Sequence, residues 1–135
     1  MAIDFARVGC RVGIAARRSE PLGEVKSLYP SNVAAMTIDV TAPDAVKRFY
    51  DLIELIDGMD IFAGTGFADP DLDDSRISTT LRTNVDGFAR LTAAAYRYYR
   101  DTANVSQGQI AAITSVAGTK GIGVAAAYSA SKRFQ

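Results

Sequence analysis

Three side chains in the last quarter of the sequence have the types and spacing needed for proton transfer. Tyr128 and Lys132 are four residues apart in a segment typical of a helix, so both lie on one helical face. A lysine ammonium beside a tyrosine hydroxyl favours the phenolate and lowers its pKa, which makes a tyrosine usable as an acid or base near neutral pH. Ser115 ends an apolar stretch typical of a buried strand, and its hydroxyl is suited to hold a substrate carbonyl oxygen. The three residues predict an acid/base site.

The sequence context of these residues is a more specific indication of function than the residue types and spacing alone. A tyrosine and a lysine at this spacing would occur by chance in about one in six sequences of this composition, so the context has to carry the argument. Here Ser115 precedes Tyr128 by thirteen residues, and Asn84 lies upstream in the segment Thr-Asn-Val-Asp-Gly within a long helical pattern. These segments, together with residues 115–135, resemble the short-chain dehydrogenase/reductase family in the same order along nearly the whole chain.

This resemblance implies an activity and a role for each residue. The activity is that of an NAD(P)-dependent oxidoreductase, which transfers a hydride between a nicotinamide cofactor and a carbonyl or secondary alcohol. Tyr128 would be the acid/base, and Lys132 would both activate Tyr128 and bind the nicotinamide ribose. Ser115 would orient the substrate oxygen and stabilise charge on it. Asn84 would help to hold a proton-relay water, although an asparagine within a helix can also simply cap or bend it.

Several residues upstream are candidates for cofactor binding. Arg17 and Arg18 follow the first strand of this chain, which corresponds to the second strand of a nucleotide-binding fold. At this point an acidic residue would hold the ribose of NAD, whereas an arginine suits the 2′-phosphate of NADP. The sequence therefore favours NADP and leaves NAD possible. Two solvated arginines at the end of a strand are the alternative interpretation.

Two further segments resemble cofactor contacts of the family. Asp39 and Val40 correspond to an adenine-side contact, although an aspartate is also common in turns. Gly64 begins the segment Gly-Thr-Gly, which would let the backbone approach the adenosine half of the cofactor or would form a simple turn. The third strand is two to three residues shorter than its family counterpart, and the usual asparagine before Ala-Gly is missing, so the loop on this side departs from the pattern.

Composition narrows the class of protein. Fifteen basic and fifteen acidic residues balance, which gives no indication of a nucleic-acid partner or an anionic membrane surface. No apolar run approaches the roughly 18 residues of a membrane-spanning helix. The lack of histidine excludes histidine-based triads and histidine metal sites, and Cys10 as the single cysteine fits a reducing cytoplasm. The acidic loop of residues 69–74 has aspartates where an EF-hand has them but no glycine at the required position, so we expect no metal site.

The elements that position these residues alternate between strand and helix. Apolar runs predict strands at residues 11–16, 33–38, 59–63 and 109–114, and Gly9 and Gly58 are helix stops. Ser19 is the predicted cap of one helix, Asp74 or Ser75 that of the long helix before the fourth strand, and residues 41–44 form a capping-box-like start. The alternation predicts an α/β fold: a partial doubly wound, Rossmann-like parallel sheet with helices on both faces, in a single domain of residues 1–135.

The resemblance further implies that the chain is an internal part of a longer enzyme. A nucleotide-binding domain starts with a strand and a glycine-rich turn that holds the pyrophosphate, and this sequence starts inside the helix that follows them. The first strand would lie between the first and third strands of this chain, and the last strands of the sheet would follow residue 135. The parent protein is expected to pair through residues 85–99 and the Tyr128 helix as a homo-oligomer. A non-catalytic fragment and an epimerase or dehydratase that keeps its cofactor are the alternative functions.

Overall fold

The computed structural model describes residues 2–55, 59–61, 64–102 and 109–135, and helices and strands alternate along them. The first half contains α1 (Ala2–Arg7), β1 (Val12–Ala16), α2 (Ser19–Leu28), β2 (Val33–Thr37), α3 (Ala45–Ile53) and β3 (Met59–Ile61). The second half contains α4 (Asp74–Leu81), a π-helical segment (Arg82–Gly87), α5 (Phe88–Asp101), β4 (Ile110–Ala112) and α6 (Ala126–Phe134). Two short 3-10 turns, Val116–Gly118 and Gly123–Ala125, lie between β4 and α6.

The described strands form two parallel pairs. β1 pairs with β2 from Val12 opposite Val33 onward, and β3 pairs with β4 from Met59 opposite Ile110 onward. Parallel neighbours need a crossover connection, which α2 provides in the first pair and the α4–α5 region in the second. Among the described residues the two pairs are not hydrogen-bonded to each other. The predicted α/β fold with parallel strands is confirmed.

The main core lies between β2 and the helices α3 and α5. Apolar residues recur every three or four positions along both helices, which is why one face of each becomes buried. Ala94 and Ala95 of α5 are fully buried, and their small size lets α3 come close enough for the Tyr50 hydroxyl to donate to the Ala94 carbonyl at 3.3 Å. On β2, Ala34 and Met36 pack against this core, so the alternating residues face the other side, where α2 contacts the strand. Helices therefore cover both faces of this strand pair.

The helix starts differ from the predictions in three places. Asp73, and not Asp74 or Ser75, caps α4, because its carboxylate reaches the backbone N–H groups of Ser75 and Arg76. Ser19 is already the first helical residue of α2, and Arg18 occupies the cap position without a side-chain hydrogen bond.

The predicted capping box before α3 does not form. Asp44 occupies the cap position of α3 but makes no side-chain cap bond. The backbone N–H and hydroxyl of Thr41 instead donate to the carboxylate of Asp39, at 2.9 and 2.8 Å. This nearer acceptor removes Thr41 from the helix start.

Two other boundary predictions meet the structure only in part. The long helix predicted before β4 is divided by the π-helical segment, and β1, β2 and β4 are shorter at one or both ends than predicted. Gly9 does stop α1, with a left-handed φ of 94° that glycine adopts without strain. The other predicted stop, Gly58, and the end of the third strand at residues 62–63 lie outside the described residues.

Candidate active site

The short helix α6 presents Tyr128 and Lys132 on one face, as their spacing predicts. The Lys132 ammonium lies 5.9 Å from the centre of the Tyr128 ring. Lys132 is only 8% exposed, and a buried ammonium is unfavourable unless it finds acceptors. Its Nζ donates to the carbonyl of Ile113, just after β4, at 3.3 Å and to Oε1 of Gln135 at 2.6 Å. These bonds compensate the burial of the charge and fix it near the tyrosine.

Asn84 lies in the π-helical segment and joins the loop after β3 to α6. Its side chain is fully buried. Its Oδ1 accepts from the backbone N–H of Thr65 at 2.8 Å, while Nδ2 donates to the carbonyl of Thr65 and to Oγ of Ser131, both at 2.8 Å. Short π-helical segments within helices frequently occur at functional sites. The amide of Asn84 thus fixes two parts of the site that are far apart in sequence.

The glycines of the loop after β3 bring its backbone against these side chains. A Cβ on Gly64 would lie 3.4 Å from Nζ of Lys132 and 3.8 Å from Oδ1 of Asn84. A Cβ on Gly66 would lie 2.6 Å from Cδ2 of Tyr128, closer than real Cβ contacts occur. The sequence interpretation left this segment either as an approach to the adenosine half of a cofactor or as a simple turn. In the structure its backbone packs against the lysine and the tyrosine of the site.

An open groove of about 510 Å³ runs between this loop and α6. Tyr128 and Lys132 line it together with the backbone of residues 64–66. The remaining walls are apolar and include Phe67 and Ile122, which are 39% and 42% exposed. A concave surface with apolar walls and a few polar groups is typical of sites for small organic molecules.

Ser115 lies at the start of the 3-10 turn after β4 and is not among the described residues that line the groove. It is half-buried, and its Oγ accepts a hydrogen bond from the backbone N–H of Ala117 at 3.2 Å. The turn is packed tightly against α6, since a Cβ on Gly118 would lie 2.6 Å from the carbonyl oxygen of Lys132. The structure therefore brings Asn84, Tyr128 and Lys132 together and places Ser115 on the adjoining turn.

The candidate cofactor residues lie at the ends of β1 and β2. Arg17 and Arg18 follow β1, and both are exposed. The hydrogen bonds from Thr41 hold the pKa of the Asp39 carboxyl below its usual value, and the positive charges of Arg17 and Arg82 lower this pKa further. Asp39 therefore forms a turn, as in the alternative interpretation, and at the same time lies within electrostatic reach of Arg17.

Val40 connects this region with the π-helical segment. A Cβ on Gly87 would lie 2.7 Å from Cγ2 of Val40 and 3.1 Å from its carbonyl oxygen, so the two backbones meet closely. Asn84 belongs to the same segment as Gly87. The cofactor candidates and the Tyr128 side of the site are thus linked through one short helical segment.

In the part of the chain that the structure describes, no group of three or more His, Cys, Asp or Glu side chains is placed to hold a metal ion. In the predicted acidic loop, Asp69 forms an ion pair with Arg76 at 3.5 Å, and Asp73 caps α4. The described helices include none that is long and apolar enough to cross a membrane.

Residues 1–134 match the sequence family described as short chain dehydrogenase. The chain belongs to the short-chain dehydrogenase family. A curated relative, the dehydrogenase/reductase SDR family protein 7-like of Dictyostelium discoideum, is 30% identical over 98% of the chain and 46% of the relative.

Solved structures of short-chain dehydrogenases share the fold. A putative short-chain alcohol dehydrogenase from Sinorhizobium meliloti 1021 is 30% identical, with a TM-score of 0.84 over 98% of this chain and 55% of the other. The actinorhodin polyketide ketoreductase, solved with NADPH, is 26% identical, with a TM-score of 0.82 over 98% of this chain and 54% of the other. The chain thus spans about half the length of these relatives.

In this short-chain dehydrogenase chain, the sequence did not predict the site contacts of Gly66 and Ser131. The backbone of Gly66 lies against the Tyr128 ring, and Ser131 is fully buried between Asn84 and Tyr128, donating from its Oγ to the Tyr128 carbonyl at 2.7 Å. A serine three residues after the tyrosine is a signal for Ser131, because a helical hydroxyl can bond back to an earlier carbonyl. No local pattern identifies Gly66, since its partner lies on another element.

Proposed function

We propose that this chain forms the proton-transfer site of an NADP-dependent oxidoreductase that interconverts a carbonyl compound and a secondary alcohol. The observation that carries the proposal is the fixed position of the Lys132 ammonium, 5.9 Å from the centre of the Tyr128 ring and beside an open groove. A positive charge close to a phenol stabilises its anion. Tyr128 can therefore give a proton to a carbonyl oxygen and take it back in the reverse reaction.

Ser115 is proposed to orient the substrate oxygen. In its bond with the backbone N–H of Ala117 the hydroxyl oxygen is the acceptor, so its own proton remains available for a substrate oxygen. Asn84 is proposed to act mainly as a frame, because both polar atoms of its side chain are already bonded to Thr65 and Ser131.

The residues present fit a nicotinamide dinucleotide. Lys132 has three donor hydrogens and uses two in its described hydrogen bonds, so one remains for a ribose hydroxyl. Gly64 keeps the space beside this ammonium free of a side chain. When bound, the cofactor would supply or accept the hydride.

The two exposed arginines support NADP over NAD. Arg17 and Arg18 carry positive charge at the end of β1, where a guanidinium suits a 2′-phosphate. The related ketoreductase solved with NADPH agrees with this choice.

We further propose a type of substrate, a self-association surface and a cellular location. The substrate would be a small organic molecule with an apolar part, because Phe67 and Ile122 form walls of the groove. Self-association is proposed through α5 and α6, which expose Tyr96 and Phe134 at 60% and 56%. A cytoplasmic location fits the single cysteine.

The test replaces Tyr128 by Phe in the full-length protein and follows NADPH oxidation with a panel of aliphatic and aromatic ketones and aldehydes. Loss of the phenolic proton is expected to lower kcat about a hundred- to ten-thousand-fold. Tyr29→Phe is the matched control, since Tyr29 follows α2, outside the groove and the helices proposed for self-association, and its replacement should leave kcat unchanged.

Three results would contradict the proposal in different ways. Unchanged turnover in Tyr128→Phe would remove the role of the tyrosine. Substrate conversion without net NADPH consumption would indicate the epimerase or dehydratase. A protein that binds neither NADPH nor NADH would indicate a non-catalytic role.

A further inference from the structure

Gln135 bridges two groups of the site with both ends of its side-chain amide. Its Oε1 accepts a hydrogen bond from the Lys132 ammonium at 2.6 Å, and its Nε2 donates to the backbone carbonyl of Asn84 at 2.8 Å. Lys132 is 8% exposed and Asn84 is fully buried. The bond from the ammonium is charge-assisted and is therefore stronger than one between neutral groups.

The position of Gln135 on the helix explains this reach. It follows Lys132 by three residues, so both side chains lie on the same side of α6. Its backbone N–H donates to the carbonyl of Ser131 at 3.3 Å, which continues the helical pattern of α6 to this residue. The amide is thus directed towards the π-helical segment by the helix itself.

We propose that Gln135 is a positioning residue that fixes the Lys132 ammonium through a direct bridge to the Asn84 carbonyl. This inference rests on the function proposed above. The resemblance to the family implied a relay water near Asn84, and in this chain the amide of Gln135 joins the asparagine to the lysine directly. An amide connects the two groups without passing a proton between them, whereas a water molecule can do both.

The test uses two variants of the full-length protein with NADPH and the ketone and aldehyde panel. Gln135→Met keeps the size of the side chain but removes the acceptor, and kcat/KM is expected to fall about ten-fold, as for the loss of one hydrogen bond to a charged group. Gln135→Glu keeps the acceptor and adds a negative charge beside the ammonium. The pH profile of kcat/KM should then move to higher pH, because the added negative charge disfavours a phenolate, which the ammonium favours.

The matched controls make the same two changes at Gln109, an exposed glutamine just before β4. Gln109→Met and Gln109→Glu should leave both kcat/KM and its pH profile unchanged. A purely structural role of Gln135 would lower the unfolding temperature without moving the pH profile, and that result would overturn the inference.

The outcome separates this inference from the proposed function. If Tyr128→Phe is inactive while Gln135→Met changes kcat/KM by less than about two-fold and Gln135→Glu keeps the wild-type profile, Gln135 has no positioning role. If Tyr128→Phe is active, the proposed function itself is wrong. Should Gln135→Met fail to fold, the near-isosteric Gln135→Glu decides the question by its pH profile.

Discussion

The Tyr128 side of the site and the proposed cofactor side, at the ends of β1 and β2, are built in opposite ways. On the Tyr128 side, Asn84 and Ser131 are fully buried, and each polar atom of their side chains is hydrogen-bonded. On the cofactor side, Arg17, Arg18 and Asp39 are exposed, and the carboxylate of Asp39 is hydrogen-bonded to a residue only two positions away. Buried polar networks fix geometry because every broken bond leaves an unsatisfied group. Exposed charges attract a ligand but contribute little to the fold.

The π-helical segment holds the two sides together. Within this segment, Asn84 is hydrogen-bonded both to the loop that precedes α4 and to α6. Gly87 of the same segment lies against Val40. A change in the buried side is therefore expected to affect both stability and catalysis, whereas a change in the exposed side should affect ligand affinity alone.

The strongest test of this contrast is Asn84→Ala. The substitution removes three side-chain hydrogen bonds and leaves the backbone groups of Thr65 and the Ser131 hydroxyl without these partners. The free energy of unfolding should fall by about 3–4 kcal/mol, measured by urea denaturation. Asn32→Ala is the control, because within the described part of the chain Nδ2 of Asn32 makes a single long bond, 3.5 Å to the Cys10 carbonyl. Equal losses of unfolding free energy in the two variants would show that the buried hydrogen bonds of Asn84 contribute no more to stability than the single bond of Asn32.

A smaller effect is expected for Gly66→Ala. The new methyl group would lie 2.6 Å from the Tyr128 ring, so the ring or the loop must move. The free energy of unfolding should fall by about 2 kcal/mol, and kcat should fall with it because the tyrosine is displaced. In the control, Gly23→Ala, the methyl group meets no atom within 4 Å, and the change should stabilise α2 by up to about 1 kcal/mol. Wild-type kcat in Gly66→Ala would mean that the ring position is not critical.

The smallest effect is expected on the exposed side, for Arg17→Ala. NADPH affinity should fall about ten-fold, which corresponds to about 1.4 kcal/mol, since one charged contact to the 2′-phosphate is lost. NADH affinity and the urea midpoint should not change, because the side chain is exposed. Arg100→Ala, at the far end of α5, is the control for a general loss of positive charge. A parallel fall in affinity for both cofactors would refute a 2′-phosphate contact.

Much of the fold was predictable because its signals are local. Apolar runs and helical periodicity predicted the four described strands, their parallel direction and the helices between them, but not their division into two pairs. The spacing of Tyr128 and Lys132 gave their common face for the same reason. The cap of α4 was placed one or two residues too late, since several aspartates and a serine compete there and only the geometry selects Asp73.

The rest of the site depends on contacts that no local pattern contains. The partners Asn84 and Ser131 are 47 positions apart, and the backbone of Asn84 and the amide of Gln135 are 51 positions apart. The sequence interpretation identified Asn84 but did not predict that its side chain bonds to the loop after β3.

The sequence by itself determined that a tyrosine and a lysine share one helical face, within a chain of the short-chain dehydrogenase family. Helical geometry fixes such a pair wherever the helix forms. The tertiary structure alone decided that the Gly66 backbone meets the tyrosine ring and that the amide of Gln135 meets the Asn84 carbonyl. These contacts require separate elements to pack at a particular distance, and close packing of the whole chain sets that distance.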